Sequence, residues 1–401
     1  MGQDRKEALK AIIRSLHEGA DPETVKAKFG DLLKDVGAVD IAEIEEELIN
    51  EGMPRDEIRR LCDVHLAFFR ERLEEEKDLA PEGHPIHILM EEHKILLDFA
   101  ENLRNTMSEM KKAKGFGEAG EDHLQHIIEH LRESESHYQR EENVLFPYLE
   151  KHGVTQPPAI MWMEHDKIRE IEKNLYAQVE AKENADYQQF VKQCMETPVA
   201  LSEMLSNHFY KENNVLFPTA LKVIPKEEWA TIRKQFDEIG YCCFTPESAT
   251  IQLEEAATTA PAMREESKVN FETGAFSAEE LEAMLNTLPF DITFVDKDDT
   301  VRYFSQGKDR LFVRTKAIIG RKVQQCHPQK SVHIVNRILD SFRKGTRDAA
   351  EFWINLQGKL VHIRYFAVRD GASRYLGCVE VTQDITVIKK IEGERRLLDW
   401  Q

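Results

Sequence analysis

His137-Tyr-Gln-Arg-Glu141-Glu-Asn-Val-Leu-Phe-Pro147 and His208-Phe-Tyr-Lys-Glu212-Asn-Asn-Val-Leu-Phe-Pro218 are two copies of one pattern. Seven of the eleven aligned positions are identical, the His, the Glu and Asn-Val-Leu-Phe-Pro among them. His and Glu four apart share a helix face, and a single such pair is more often an exposed hydrogen bond than a metal site. Two copies in the same apolar setting point to a shared structural task.

The segments ahead of the two copies also correspond. Met90-Glu-Glu-His93 precedes His137 by 44 residues, and Met163-Glu-His165 precedes His208 by 43. Helical periodicity runs over 85–112, 118–146, 157–182 and 187–217, broken at Lys114-Gly115-Phe116-Gly117, between His152-Gly153 and Pro157-Pro158, and near Asn184. This is the pattern of an up-down four-helix bundle, and a shorter helix is expected from Pro225 to about Ile239. Each hairpin supplies one His from its first helix and one HxxxE from its second. Antiparallel packing brings His93, His137, Glu141, His165, His208 and Glu212 into the bundle core. Each is costly to bury alone and is compensated by a cation. Four His and two Glu exceed the needs of one tetrahedral zinc. They suit two first-row metals, two His on each, bridged by Glu141 and Glu212; iron and manganese both accept imidazole with oxygen ligands. Positions remain for water, dioxygen or nitric oxide.

Helical hairpins carrying a lone His and then HxxxE ahead of Leu-Phe-Pro resemble the hemerythrin-like, or HHE cation-binding, domain. The resemblance covers about 84–220. It implies a non-heme centre of two iron ions in a four-helix bundle, with His93, His137, Glu141, His165, His208 and Glu212 as ligands. One departure stands out. Oxygen-carrying hemerythrins have a fifth His, paired four apart on the third helix, and Met161 stands in that partner position here. No match assigns a fifth ligand: His130 lies about 10 Å along the helix from His137, and His87 lies on a different face from His93. The missing ligand bears on reversible oxygen carriage more than on iron binding. His123, His126 and His152 read as solvated, and His84 belongs to the turn entering the first helix. Met107, Met110, Met161, Met163 and Met204 read as core filler.

On either side the grammar changes. Residues 1–76 read as a small helical domain. Leu16-His17-Glu18-Gly19-Ala20, Glu51 to Ile58 and Leu61-Cys-Asp-Val-His65 resemble an uncharacterised helical domain that often precedes hemerythrin-like modules. Cys62 and His65, spaced CxxH without a second half, read as a packed helix face. The bundle spans 83–240 and a linker 241–277. Residues 278–392 carry strand patterns near 291–295, 300–304, 350–354, 361–366 and 375–381, around a helix at 329–343. Leu288-Pro289, Phe294-Val295-Asp296, Ile319-Gly320-Arg321 and Gly377 through Val381-Thr-Gln-Asp384-Ile-Thr386 resemble a PAS sensor domain, whose ligand the sequence does not identify. Cys326-His327-Pro328 and His333 are explained by a turn before a helix at least as well as by haem ligation. The fold class is multidomain: an all-α four-helix bundle preceded by a small helical domain and followed by an α+β PAS domain.

Composition limits the partners. Lys and Arg number 54 against 73 Asp and Glu, a net charge of −19, which disfavours nucleic acid and acidic membrane surfaces. No stretch approaches the ~18 apolar residues of a membrane span. The N-terminus shows no signal peptide and the six cysteines form no disulfide framework, so a cytoplasmic location is expected. About fifteen residues follow the PAS core. Output is therefore expected through self-association or a protein partner. The reading preferred is a sensor or regulator binding oxygen, nitric oxide or peroxide at the di-iron site. The alternatives are iron–sulfur cluster repair, nitric oxide or peroxide detoxification, and iron or oxygen storage. The sequence leaves open whether the protein is an enzyme.

Overall fold

The structure is a computed structural model that describes residues 79–112, 118–181, 196–250, 268–308 and 310–393, with Lys10, Tyr187, Phe190 and Val191 besides. The helices expected over 1–76, with Cys62 and His65, lie outside the described residues apart from Lys10. The chain forms two compact units, Met1–Ala256 and Ala257–Gln401.

The first unit is helical: α1 Pro85–Lys112, α2 Glu118–Glu133, α3 Glu135–Arg140, α4 Phe146–Lys151, α5 Gln156–Glu180, α6 Glu196–Lys211, α7 Phe217–Val223 and α8 Lys226–Ile239. Helix α1 buries Leu89, His93, Leu96, Ala100, Leu103, Met107 and Met110, a 4-3 alternation that keeps one stripe inward. Helix α5 buries Met161, His165, Ile168, Glu172, Leu175 and Val179 with the same alternation. Helix α6 packs on both α1 and α5, and α1 packs on α2 as well. Their apolar stripes form one core, from Leu96 and Leu103 across to Ile127, Ile168, Leu201 and Leu205. Two hydrophilic residues, His and Glu, thus stand in stripe positions of α5 that packing would give to Leu.

Between α3 and α4, and again between α6 and α7, the helix widens into a π turn, Glu141–Leu145 and Glu212–Leu216. The amide of Phe146 donates to Glu141 O and that of Phe217 to Glu212 O, five residues back. Each π turn is followed by Pro147 or Pro218, which lacks an N–H and crowds the carbonyl four residues before it. Widening the turn accommodates the ring. Asn143 Nδ2 donates to Gln139 O at 3.0 Å and Asn214 Nδ2 to Tyr210 O at 2.9 Å, supplying donors where the backbone ladder is disturbed. The repeated Asn and Pro thus shape the turn that carries each Glu, and π turns of this kind recur at functional sites.

The second unit holds a hairpin, β1 Lys268–Phe271 with β2 Gly274–Ser277, and helix α9 Ala278–Thr287, opened by a Ser277–Glu280 capping box. The hairpin lies within the stretch read from the sequence as linker. An antiparallel sheet follows, of order β4-β3-β7-β6-β5, with β3 Asp291–Asp296, β4 Val301–Phe304, β5 Ala349–Leu356, β6 Lys359–Arg369 and β7 Tyr375–Asp384. Helix α10, Gln329–Arg343, packs Leu339 and Phe342 against β6 and β7. The His327 ring meets the Val323 carbonyl at 2.8 Å in the turn before α10, so a local hydrogen bond occupies it. Gly377 sits opposite Asp296 with φ +152°, and a Cβ there would lie 2.1 Å from Val295 O. Gly377→Ala is therefore expected to destabilise the sheet by about 2 kcal/mol. Faster hydrogen exchange at the β3–β7 amides of the full chain checks this; unchanged protection would contradict it.

Candidate metal centre

Four helical segments deliver the six residues singled out by the repeat. His93 and His165 come from the buried stripes of α1 and α5. His137 and His208 lie near the ends of α3 and α6, one turn before the Glu that opens each π turn. All six are buried. Ligand atoms of His93, His137, Glu141 and Glu212 lie within 4.8 Å of one another, and so do those of Glu141, His165, His208 and Glu212. The two groups share both glutamates.

His93 Nε2 stands 3.2 Å from Glu212 Oε2, His165 Nε2 3.2 Å from Glu141 Oε2, and His208 Nε2 3.2 Å from Glu212 Oε1. His137 Nε2 is 3.8 Å from Glu141 Oε2. These are approaches without hydrogen-bond geometry: all four Nε2 atoms and all four carboxylate oxygens are buried with no hydrogen-bond partner. Orphaned groups of this kind are rare in folded proteins and require an explanation.

The opposite ring nitrogens are all occupied. His137 Nδ1 meets Glu92 Oε2 at 2.6 Å, and His208 Nδ1 meets Glu164 Oε2 at 3.0 Å. His165 Nδ1 meets Glu142 Oε1 at 2.9 Å and His93 Nδ1 meets Asn213 Oδ1 at 3.0 Å. A carboxylate or amide oxygen at Nδ1 fixes the tautomer that leaves Nε2 a lone pair, the usual arrangement behind a metal-bound imidazole. The lone histidines are held across the bundle, each by the residue following the other hairpin's Glu. The HxxxE histidines are held within their own hairpin.

Charge follows the same logic. Glu92 pairs with Arg140, Glu142 with Arg169 at 2.8 Å, and Glu164 with Lys211 at 2.7 Å. Burial opposes the Glu92 charge, but Arg140 and His137 hold its carboxyl down at about 2. Glu141 and Glu212 have no cationic side chain of this kind. Burial, and then the Glu212 carboxylate, push Glu141 well up. Burial likewise opposes the charge on Glu212, which His208 and the other imidazoles nonetheless hold well below the usual range. Two buried carboxyl groups facing four imidazole Nε2 atoms fit metal cations.

Sequence reasoning missed the supporting residues Glu92, Glu142, Glu164, Asn213, Arg140 and Lys211. For four of them the signal was in the repeat: a Glu stands immediately before each lone His, and Arg140 or Lys211 immediately before each HxxxE Glu. His130 lies elsewhere, 3.0 Å from Cys243 Sγ and 3.2 Å from His126 Nε2. Neither His130 nor His87 belongs to the two groups.

Three family models match the chain: the hemerythrin HHE cation binding domain over residues 84–220, a PAS domain over 281–386, and a family of unknown function (DUF438) over 9–75. The chain carries a hemerythrin HHE cation binding domain, with the DUF438 region ahead of it and the PAS domain after it. Among solved structures it is similar to a C-terminal domain from Streptococcus mutans, 35% identical, covering 32% of this chain and 98% of that one with a TM-score of 0.30. A PAS domain from Colwellia psychrerythraea is 13% identical, covers 27% and 97%, and has a TM-score of 0.23. A sensory box sensor histidine kinase from Vibrio cholerae is 12% identical, covers 26% and 89%, and has a TM-score of 0.22. None of the curated proteins matches. Among the described residues no helix is long and apolar enough to cross a membrane.

Proposed function

We propose that His93, His137, His165, His208, Glu141 and Glu212 hold two iron ions, and that the protein is a sensor in which a small ligand bound there is reported through the PAS domain. One observation carries the reading. Every Nε2 and every oxygen of these six side chains is buried and unpartnered, while every Nδ1 is held from behind. Glu141 and Glu212 reach both groups and serve as the shared ligands. The iron supplies open coordination positions for oxygen, nitric oxide or peroxide. The protein holds the imidazoles in one tautomer, neutralises their carboxylate partners with Arg140, Arg169 and Lys211, and surrounds the site with apolar rings. His93 stacks on Phe209 at 4.0 Å, and His165 lies against Phe146 at 5.8 Å.

A sensor rather than a store is favoured by the chain that leaves the bundle after α8. Gly240 O accepts from Arg140 Nη1 at 2.5 Å, Phe244 meets Phe99 edge-on at 5.3 Å, and Thr245 Oγ1 donates to Glu92 Oε1 at 2.5 Å. Glu92 is the carboxylate that holds His137. A displacement of His137 on ligand binding would move Glu92 and, through Thr245, the stretch that follows α8. Binding shifts that equilibrium only by its difference in affinity for the two positions.

Purified full-length protein is expected to carry about two irons per chain, with an absorption that azide, nitric oxide or peroxide perturbs. One zinc per chain, or a metal-free bundle after loading with ferrous iron, overturns the reading.

A further inference from the structure

The two hairpins are related residue by residue, and the relation breaks down on one side of the metal site. Aligning His137 with His208, and His93 with His165, sets Tyr138 against Phe209, Arg169 against Leu97, Glu172 against Ala100 and Tyr176 against Arg104. On the His93 side, Phe209, Leu97 and Ala100 join the apolar core. On the His165 side Tyr138 and Tyr176 pack into the same core but add phenolic hydroxyls, and Glu172 stands where the other hairpin has Ala. Tyr138 is fully buried with its ring 4.7 Å from that of His165, and the Arg169 guanidinium lies 5.5 Å from the Tyr138 ring centre.

Three polar atoms there have no hydrogen-bond partner: Tyr138 Oη, Glu172 Oε1 and Tyr176 Oη. Glu172 occupies a core stripe position of α5, one turn from Tyr176 and two turns from His165, where Leu or Ala would pack without penalty. Leaving a phenol and a carboxyl buried and unpaired costs roughly 1–3 kcal/mol each. A chain that keeps these groups on one side only, while filling the equivalent side with Phe and Ala, satisfies them with something that enters from outside. Two hydroxyl donors and a carboxyl acceptor suit a small molecule that both donates and accepts hydrogen bonds. Water and hydrogen peroxide do so; dioxygen and nitric oxide do not donate.

We infer that Tyr138, Glu172 and Tyr176 form a hydrogen-bonding subsite in the bundle core on the His165 side, which holds water at rest and takes up hydrogen peroxide on its way to the metal pair. This rests on the reading of the six residues as a di-iron site and names peroxide as its ligand among those considered. On the His93 side Phe209 and Ala100 offer no polar side-chain group.

The substitutions that test this are those the other hairpin already tolerates, Tyr138→Phe and Glu172→Ala. Iron per chain is measured first. Retention of about two irons in both variants keeps the di-iron reading intact and isolates the subsite, whereas iron-free wild-type protein overturns that reading on its own. In the iron-loaded full chain, the second-order rate of the spectral change with hydrogen peroxide is expected to fall about tenfold in each variant, one hydrogen bond's worth. The rate with nitric oxide is expected to stay within about twofold. A crystal structure of the metal-free protein supplies a second readout, an ordered water bridging Tyr138 Oη and Glu172 Oε1 in the wild type and absent from Glu172→Ala. Equal effects on peroxide and nitric oxide, unchanged peroxide rates, or a dry wild-type pocket overturn the inference.

Discussion

Glu212→Ala is expected to leave the chain with less than one metal ion where the wild type is expected to hold two. The Glu212 carboxylate is within ligand reach of both histidine groups: Oε2 faces His93 Nε2, and Oε1 faces His208 Nε2. On the proposed reading, removing it takes a shared ligand from both metals at once, with buried negative charge that favours a cation there. Loss of a residue that only supports a ligand costs about 10–100-fold in metal affinity, so a shared ligand costs at least about 100-fold. Glu141→Ala is expected to behave alike, because Glu141 also belongs to both groups. Metal analysis after equilibration with a competing chelator reads the effect. Glu228→Ala, which disturbs only the surface contacts to Lys151 and His152, serves as the control. Full occupancy in Glu212→Ala would sink the assignment of shared carboxylates.

Glu172→Gln is expected to stabilise the bundle at alkaline pH and to change little in acid. Burial, and then the nearby Glu135, push the Glu172 carboxyl up from 4.5 to about 8. The folded protein therefore holds this proton more tightly than the unfolded chain does. Its stabilising contribution is complete below about pH 4.5 and is lost as pH rises through 8. Gln keeps the shape and cannot ionise, so the variant escapes that loss. The stability difference between variant and wild type should grow from near zero at pH 4 to roughly 3–5 kcal/mol at pH 9. Urea unfolding of the full chain at several pH values, both proteins loaded with iron, gives the difference directly. A difference that does not vary with pH would contradict the burial of an ionisable carboxyl at this position. The wild-type chain keeps a group that weakens it, as functional sites often do.

Different parts of the molecule were legible in the sequence to different depths. Helix α10 and the five sheet strands follow from period and turn residues, which act over a few positions, and α10 occupies 329–343 as expected. The hairpin Lys268–Ser277 did not stand out, since its Lys-Val-Asn-Phe and Gly-Ala-Phe-Ser strands are four residues each and largely exposed. The π turns were also hidden. Asn-Val-Leu-Phe-Pro was visible as a repeated string, but that its Pro widens the preceding turn emerges only when the backbone ladder is followed.

By itself the sequence determined the six converging residues, because a cluster built from two similar hairpins must write its spacing twice in the chain. It also carried the cost of burying these groups in an apolar setting, and so the expectation of a cation. Tertiary structure alone decided which residue stands behind each imidazole: Asn213 behind His93 and Glu142 behind His165 pair across hairpins, 120 and 23 residues apart. It alone decided that Tyr138 Oη and Glu172 Oε1 are buried without a hydrogen-bond partner. Sequence spacing reports which residues share a face of one helix. Which side chain on a neighbouring helix meets that face, and which buried atom is left without a partner, depends on how the helices pack.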